Sequence, residues 1–165
     1  IIPEFNLYEE FWKIYTKGDI IQPQYISEDA VLDRCLIGDG TEVYGEVHNS
    51  IIGCGVVIEK GAIVRDSIIM QNAVIKEGYV IDKAIIAEQG VIGELAQLGV
   101  GEEVPNKVKP AVYAFGLTVI GEKAVVPPDV KIGKNTAVTG ITLPEDYPDG
   151  VLASGETLDK AGDVA

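Results

Sequence analysis

The sequence predicts an all-β fold, a left-handed parallel β-helix in which hexapeptide repeats build a triangular prism. Residues 50–66, 67–83 and 84–100 are copies of one 17-residue repeat, and a shorter copy occupies residues 35–49. Within each copy a large aliphatic residue recurs every five or six positions. The chain also contains 19 glycines, which suit the tight corners that such a prism needs.

Three aliphatic columns run through the repeat copies and predict three flat sides per turn. They are Ile37, Ile52, Ile69 and Ile86; Val43, Ile58, Ile75 and Ile92; and Val47, Val64, Ile81 and Leu98. Stacked turns place like side chains over like at a spacing of about 4.8 Å. A spacing of six does not follow the helical period, and turn signals come too often for a sandwich of hairpins. Prisms of this type coil left-handed, an exception to the usual crossover rule.

The repeat divides the chain into three parts, taken in order. Residues 1–24 form a lead-in, residues 25–143 form the β-helix, and residues 144–165 form a C-terminal tail. The phase is lost at about 100–118, which predicts an interrupting loop, and it resumes at Ile120. The tail is expected to hold an extended strand through Val151 and Leu152 and then a mobile polar end.

Composition and charge narrow the classes of function. The chain has 26 acidic and 13 basic side chains and a net charge of −13, which opposes binding to nucleic acid or to anionic membranes. No apolar run approaches the ~20 residues of a membrane-spanning helix, and no secretory signal is recognisable. Two cysteines do not make a disulfide framework. We therefore expect a cytoplasmic protein.

Three residues with reactive side chains are predicted to be structural. His48 is the only histidine, and the repeat aligns it with Arg65 and Asp82 in a column that should face solvent. One histidine also argues against a zinc site. Cys35 falls in a column of small residues and should be buried, whereas Cys54 should be exposed. We predict no catalytic residue and no metal ligand in this chain.

Several segments together resemble one known family. They are NLYEEFWKIYT, QPQYISEDA, GEVHNSIIGCGVVIEKGAIVRDSIIM, VPNKVKPAVYAFGL and DYPDGVLASGETL. Their order is similar to that in the C-terminal domain of bacterial glucose-1-phosphate adenylyltransferase (ADP-glucose pyrophosphorylase). The resemblance implies a parent enzyme that converts ATP and glucose 1-phosphate to ADP-glucose and pyrophosphate for glycogen biosynthesis. It also implies that the catalytic groups and the Mg²⁺ site belong to a separate N-terminal nucleotidyltransferase domain.

The resemblance further implies a regulatory and assembly role for this part. The expected partners are its own N-terminal catalytic domain, a homo-oligomer (tetramer) or a sister subunit, and a sugar-phosphate or nucleotide effector. The candidates for effector binding are Arg65, Lys83, Lys107 and Lys109. The acidic segment 146–150 stands where a basic cluster would favour an anion, which weakens the case for strong activation by sugar phosphates.

Each candidate pair of basic residues also has a structural interpretation. Arg65 and Lys83 can pair with the neighbouring carboxylates of Asp66 and Asp82. Lys107 and Lys109 can belong to a solvated loop that folds over the prism and whose aromatic residues cover apolar surface.

Three other functions remain open at the level of sequence. A hexapeptide acyltransferase would use a histidine as its general base, for which His48 is the candidate. The chain could instead belong to another sugar-nucleotide pyrophosphorylase, because the prism does not distinguish the nucleotide. It could also come from a non-catalytic sister subunit that keeps the prism.

Overall fold

The structure is a computed structural model that describes Phe11, residues 20–78 and residues 80–160. It is a parallel β-helix, as the repeat predicted, and it has the left-handed coil that is typical of hexapeptide prisms. Most of the predicted lead-in, residues 1–24, lies outside the described residues, as do residues 161–165 of the tail. Within the described part the regular elements are short strands and two 3₁₀ turns, Pro144–Asp146 and Pro148–Gly150.

In the described part of the chain, twenty short strands form three parallel sheets, one for each side of the prism. The first sheet has β1 (Tyr25–Ile26), β4 (Glu42–Val43), β7 (Val57–Ile58), β10 (Val74–Ile75), β13 (Val91–Ile92) and β16 (Val125–Val126). The second has β2 (Val31–Asp33), β5 (Glu46–His48), β8 (Ile63–Arg65), β11 (Val80–Asp82), β14 (Gln97–Val100), β17 (Lys131–Gly133) and β19 (Val151–Leu152). The third has β3 (Leu36–Ile37), β6 (Ile51–Ile52), β9 (Ile68–Ile69), β12 (Ala84–Ile86), β15 (Thr118–Ile120), β18 (Thr136–Thr139) and β20 (Thr157–Asp159).

The core consists of the predicted aliphatic columns. Successive side chains of a strand point to opposite faces, so a two-residue strand places one side chain inside and one outside. Ile58, Ile75 and Ile92 stack in register in the first sheet and are fully buried. Branched aliphatic side chains fit such strands because their stiff rotamers pack on a pleated surface. Among the described residues, the buried core therefore contains no aromatic side chain apart from Tyr147 near the C-terminal end.

The column of small residues is held by side-chain hydrogen bonds. Ser50 Oγ accepts from the backbone N–H of Ser67 at 3.1 Å, and Ser67 Oγ accepts from the N–H of Ala84 at 3.0 Å. Each serine hydroxyl also donates to the carbonyl two residues earlier. These hydrogen bonds therefore connect consecutive turns of the prism at one corner. A larger side chain at this position would displace them.

The predicted interruption corresponds to residues 101–117, between β14 and β15. Gly99 precedes this loop at φ +80°, and a Cβ there would lie 2.1 Å from the carbonyl oxygen of Asp82. Such a contact is far inside van der Waals range, so only glycine fits this position in the present backbone. The coil resumes at β15, which pairs with β12 across the interruption.

The sheets continue past residue 143, where the predicted β-helix ended. Strand β19 pairs with β17, and β20 pairs with β18, so the tail adds two further strands. Tyr147, which precedes β19 in the chain, is buried, and its hydroxyl lies 2.8 Å from Oγ1 of Thr142. Asp146 accepts from the N–H of Leu143 at 2.9 Å and pairs with Lys160 at 2.9 Å. This segment closes the C-terminal end of the prism.

Candidate functional site

Two of the predicted effector residues, Arg65 and Lys83, lie together at one corner of the prism. The backbone N–H of Lys83 donates to the carbonyl oxygen of Arg65 at 3.2 Å, and Arg65 pairs in register with Asp82. Both side chains are exposed, and neither forms an ion pair with another described residue. Asp66 accepts a hydrogen bond from the Asn49 side chain instead. Two adjacent cations are therefore available at this corner.

The other two candidates, Lys107 and Lys109, lie on the loop of residues 101–117. Both are exposed, but the Lys107 ammonium forms a salt bridge with the carboxylate of Glu156. Its backbone N–H also donates to the carbonyl of Gly155 at 2.8 Å. Lys109 is fixed through its backbone N–H, which donates to the Asn106 side chain at 2.7 Å. The ammonium of Lys107 is therefore already paired, whereas the ammonium of Lys109 forms no salt bridge with a described carboxylate.

The two pairs of basic residues do not form one site. Lys83 immediately precedes β12, whereas the Lys107 partner Glu156 immediately precedes β20. These strands are separated by β15 and β18 in the third sheet. At about 4.8 Å per strand, the two places lie on the order of 14 Å apart along the prism. The structure therefore separates the predicted effector residues into an Arg65–Lys83 corner and a loop pair.

A buried asparagine that the sequence interpretation did not single out holds the loop to the prism. Asn106 Nδ2 donates to the carbonyl oxygen of Asn135 at 2.8 Å and lies 3.3 Å from the carbonyl oxygen of Glu156. Its Oδ1 accepts from the backbone N–H groups of Val108 and Lys109 at 2.9 and 2.7 Å. Both ends of the amide are thus satisfied inside the protein, as a buried polar group requires.

A second buried asparagine completes the clamp. Asn135 Nδ2 donates to the carbonyl of Val104 at 2.7 Å, and its Oδ1 accepts from the N–H of Gly116 at 2.7 Å. The two ends of the loop are therefore tied to one side chain. Beneath the loop lies a depression of about 400 Å³ whose walls include Pro110, Tyr113 and Asn135.

The aromatic residues of this loop behave differently from each other. Tyr113 is half-buried, whereas Phe115 is 82% exposed and occupies a positive-φ position. Phe115 therefore does not cover apolar surface in the way that the loop interpretation expected.

The histidine and the cysteines make no reactive cluster. His48 pairs in register with Arg65, is half-buried, and its Nε2 lies 3.5 Å from a carboxylate oxygen of Glu46. Cys35 was expected to be buried but is half-buried, because its coil is the first of the described prism; its Sγ donates to the Val47 carbonyl at 3.1 Å. Cys54 was expected to be exposed but is half-buried, because adjoining coils flank its corner on both sides. Among the described residues no group of three or more His, Cys, Asp or Glu is placed to hold a metal ion.

One outer face of the prism carries an apolar surface, which we name the aliphatic stripe. It consists of the outward residues of five successive strands in the third sheet: Leu36, Ile51, Ile68, Ile85 and Val119. Leu36 is 63% exposed, Ile51 48% and Ile68 40%. At about 4.8 Å per strand the stripe is roughly 19 Å long. A continuous aliphatic face of this kind is typical of surfaces that bind another protein domain.

No helix in the described part of the chain is long and apolar enough to cross a membrane.

Comparison with known proteins places these features in context. The profile described as "GlmU-like, C-terminal hexapeptide" matches residues 21–120. A protein named glucose-1-phosphate adenylyltransferase from Lachnospira eligens is 65% identical over 163 residues, which are 99% of this chain and 38% of that protein. Proteins of the same name from Acetivibrio thermocellus and Thermotoga maritima are 38% and 49% identical over 99% and 94% of this chain. The chain spans 38% and 37% of their respective lengths.

Proposed function

Because this chain belongs to the GlmU-like C-terminal hexapeptide family, we propose that it is the non-catalytic assembly and regulatory part of a glucose-1-phosphate adenylyltransferase. The observation that carries the proposal is the 65% identity to the Lachnospira eligens protein of that name, over 99% of this chain but only 38% of that protein. The reaction of the whole enzyme joins ATP and glucose 1-phosphate to give ADP-glucose and pyrophosphate. We assign its catalytic groups and its Mg²⁺ to the part of the enzyme that this chain does not include.

The aliphatic stripe supports an assembly role. It presents Leu36, Ile51 and Ile68 side by side on a rigid sheet, and isolated domains rarely expose such a face without a partner. We propose that its partner is the N-terminal catalytic domain of the same enzyme or a neighbouring subunit of a tetramer. The enzyme would act in the cytoplasm, where the two free thiols of Cys35 and Cys54 remain reduced.

The Arg65–Lys83 corner is the better of the two candidate effector sites. Its two cations are adjacent, exposed and unpaired among the described residues, whereas Lys107 is already paired with Glu156. Arg65 can bind a phosphate in a bidentate manner, and Lys83 can add a point charge. The carboxylates of Asp66 and Asp82 stand beside these cations and would weaken the attraction for an anion. A sugar-phosphate or nucleotide effector would therefore bind weakly to this chain alone.

A chimeric enzyme tests the proposed function. The segment of the Lachnospira eligens enzyme that matches this chain is replaced by residues 1–165, and pyrophosphate release is measured with ATP, Mg²⁺ and glucose 1-phosphate. The chimera should be active, and the 165-residue chain by itself should release no pyrophosphate. Pyrophosphate release by the isolated chain, or a folded chimera without activity, would contradict the proposal.

The same chimera tests the effector corner. Replacing Arg65 and Lys83 together by alanine should raise the concentration of effector needed for half-maximal response and leave the activity without effector unchanged. Lys60 is another exposed cation, and it pairs with Asp29 elsewhere on the prism, so Lys60→Ala is the control. An unchanged effector response in the double variant would show that the effector does not bind at the Arg65–Lys83 corner.

A further inference from the structure

The depression beneath the loop of residues 101–117 has the size and the walls of a small-molecule site. Its volume of about 400 Å³ lies within the range of roughly 300–1,000 Å³ that is usual for ligand pockets. Its walls include two aromatic rings, two prolines and two polar residues: Tyr113, Phe115, Pro105, Pro110, Glu103 and Asn135. Apolar walls with a few polar groups among them are typical of pockets that bind a small ligand.

Phe115 stands at this depression in a conformation that folding does not explain. Its ring is 82% exposed and its φ is 61°. A positive φ is costly for a bulky side chain, and an exposed ring contributes little burial to offset that cost. Apart from Leu95, the other non-glycine residues with a positive φ in the described part of the chain are polar or charged. Backbone strain without a stabilising contact points to a role in binding.

Two charged side chains of opposite sign converge beside Phe115. A Cβ at Gly116 would lie 3.4 Å from Oε2 of Glu103 and 3.8 Å from Cδ of Lys134, so both side chains lie over the residue that follows Phe115. Neither the carboxylate nor the ammonium forms an ion pair or a hydrogen bond with a described residue. An anionic ligand would face Glu103, and a cationic ligand would face Lys134. A neutral ligand with hydroxyl groups can form hydrogen bonds with both.

We propose that this depression is a binding site for a neutral oligosaccharide. The apolar C–H face of a sugar ring packs on the ring of Phe115, as an aromatic surface requires of its partner. Hydroxyl groups of the sugar donate to the carboxylate of Glu103 and accept from the ammonium of Lys134. Because the Phe115 ring is largely exposed, the oligosaccharide can continue along the surface beyond the depression. This ligand differs from the charged effector of the Arg65–Lys83 corner, and its binding can be measured without any enzyme activity.

Titration of the 165-residue chain with maltoheptaose, an unbranched neutral α-glucan, tests the site. The backbone ¹H–¹⁵N resonances of residues 101–117 should shift and saturate with a dissociation constant on the order of 1 mM. Phe115→Asn removes the ring and suits a positive φ, so it should weaken binding about tenfold and leave the chain folded. Phe115→Tyr keeps a flat ring and should bind as the parent chain does. Val112→Ala is the control, because Val112 is 65% exposed on the same loop but does not line the depression.

The charge of the ligand is tested in the same titration. Binding of maltoheptaose should change less than about twofold between about 50 and about 300 mM NaCl, because salt screens only interactions between charges. If circular dichroism shows that Phe115→Asn is unfolded, Phe115→Leu takes its place, since it keeps an apolar side chain but loses the flat ring. Unchanged binding in the folded variant, or loop resonances that do not shift with maltoheptaose, would overturn the proposal. So would tighter binding at this loop of adenosine, AMP or spermidine, because the site would then take a nucleoside, an anion or a cation.

Discussion

Replacing Asn106 by alanine should loosen the loop of residues 101–117 and destabilise the chain. Asn106 is 2% exposed, and both ends of its amide are hydrogen-bonded within the protein. A hydrogen bond contributes about 1 kcal/mol net, and a buried carbonyl left unpaired costs about 1–3 kcal/mol. The three shortest bonds of the amide, to the carbonyl of Asn135 and from the N–H groups of Val108 and Lys109, together give a loss of about 3 kcal/mol. Asn106 has no positive φ, so alanine adds no backbone strain.

Urea denaturation followed by circular dichroism measures this effect. The midpoint should fall while the slope with urea stays constant, which indicates a loss of stability without a change in the surface exposed. Trypsin cleavage after Lys107 should also become faster, because the clamp holds the backbone on either side of that bond. Gln71→Ala is the control, since Gln71 is an exposed amide without a positive φ or a side-chain hydrogen bond to described residues. A loss below about 0.5 kcal/mol with unchanged cleavage would refute the reasoning.

Three further outcomes follow from single contacts. Gly99→Ala should lower the urea midpoint of unfolding far more than Gly61→Ala. Both glycines have a positive φ, but a Cβ at Gly99 would lie 2.1 Å from a carbonyl oxygen, whereas a Cβ at Gly61 would meet nothing within 3.7 Å. Equal losses of stability would mean that the positive φ alone, and not the contact, sets the cost of the substitution. Burial raises the pKa of Tyr147 to about 12 from 10.0, so the unfolded chain ionises first and stability, complete below pH 10, should decline between pH 10 and about 12. Tyr147→Phe should abolish that decline, measured by urea denaturation at each pH. A hydrogen bond from the backbone of Leu143, followed by one from Lys160, lowers the pKa of Asp146, so its contribution is present at neutral pH and lost as pH falls through the folded pKa. Asp146→Asn should therefore flatten the acid limb of the stability profile, and an unchanged limb would contradict that role.

The regular part of the fold could be predicted from the sequence because it depends on the spacing of residues that are close together in the chain. Ile58, Ile75 and Ile92 recur at a fixed interval, and a repeat that stacks on itself converts that interval into a column of the core. The interruption near residue 100 could be predicted for the same reason. Where the aliphatic residues lose their regular spacing, the chain can no longer stack in register on the preceding turn. The period also aligned His48 with Arg65, which the strand register reproduces.

For the effector candidates, the spacing of residues in the sequence predicts which residues are neighbours but not all of the ion pairs that they form. Arg65 and Lys83 are neighbours because one turn separates them, so the sequence brings them together correctly. The repeat places Asn49 one period before Asp66, but it does not show that Asp66 accepts a hydrogen bond from Asn49. It carries no record that Lys107 pairs with Glu156, 49 residues later. Whether a lysine is free to bind an anion depends on partners of this second kind.

By itself the sequence determined the prism, its three aliphatic columns and the position of its interruption, because each follows from a short-range period. Only the tertiary structure decided how the irregular parts attach to it. Asn106 and Asn135 clamp the loop from 29 residues apart, and β19 and β20 extend the sheets beyond the last recognisable repeat. The physical reason is that these contacts satisfy buried polar groups and strand edges across the chain, and such partners are set by proximity in space.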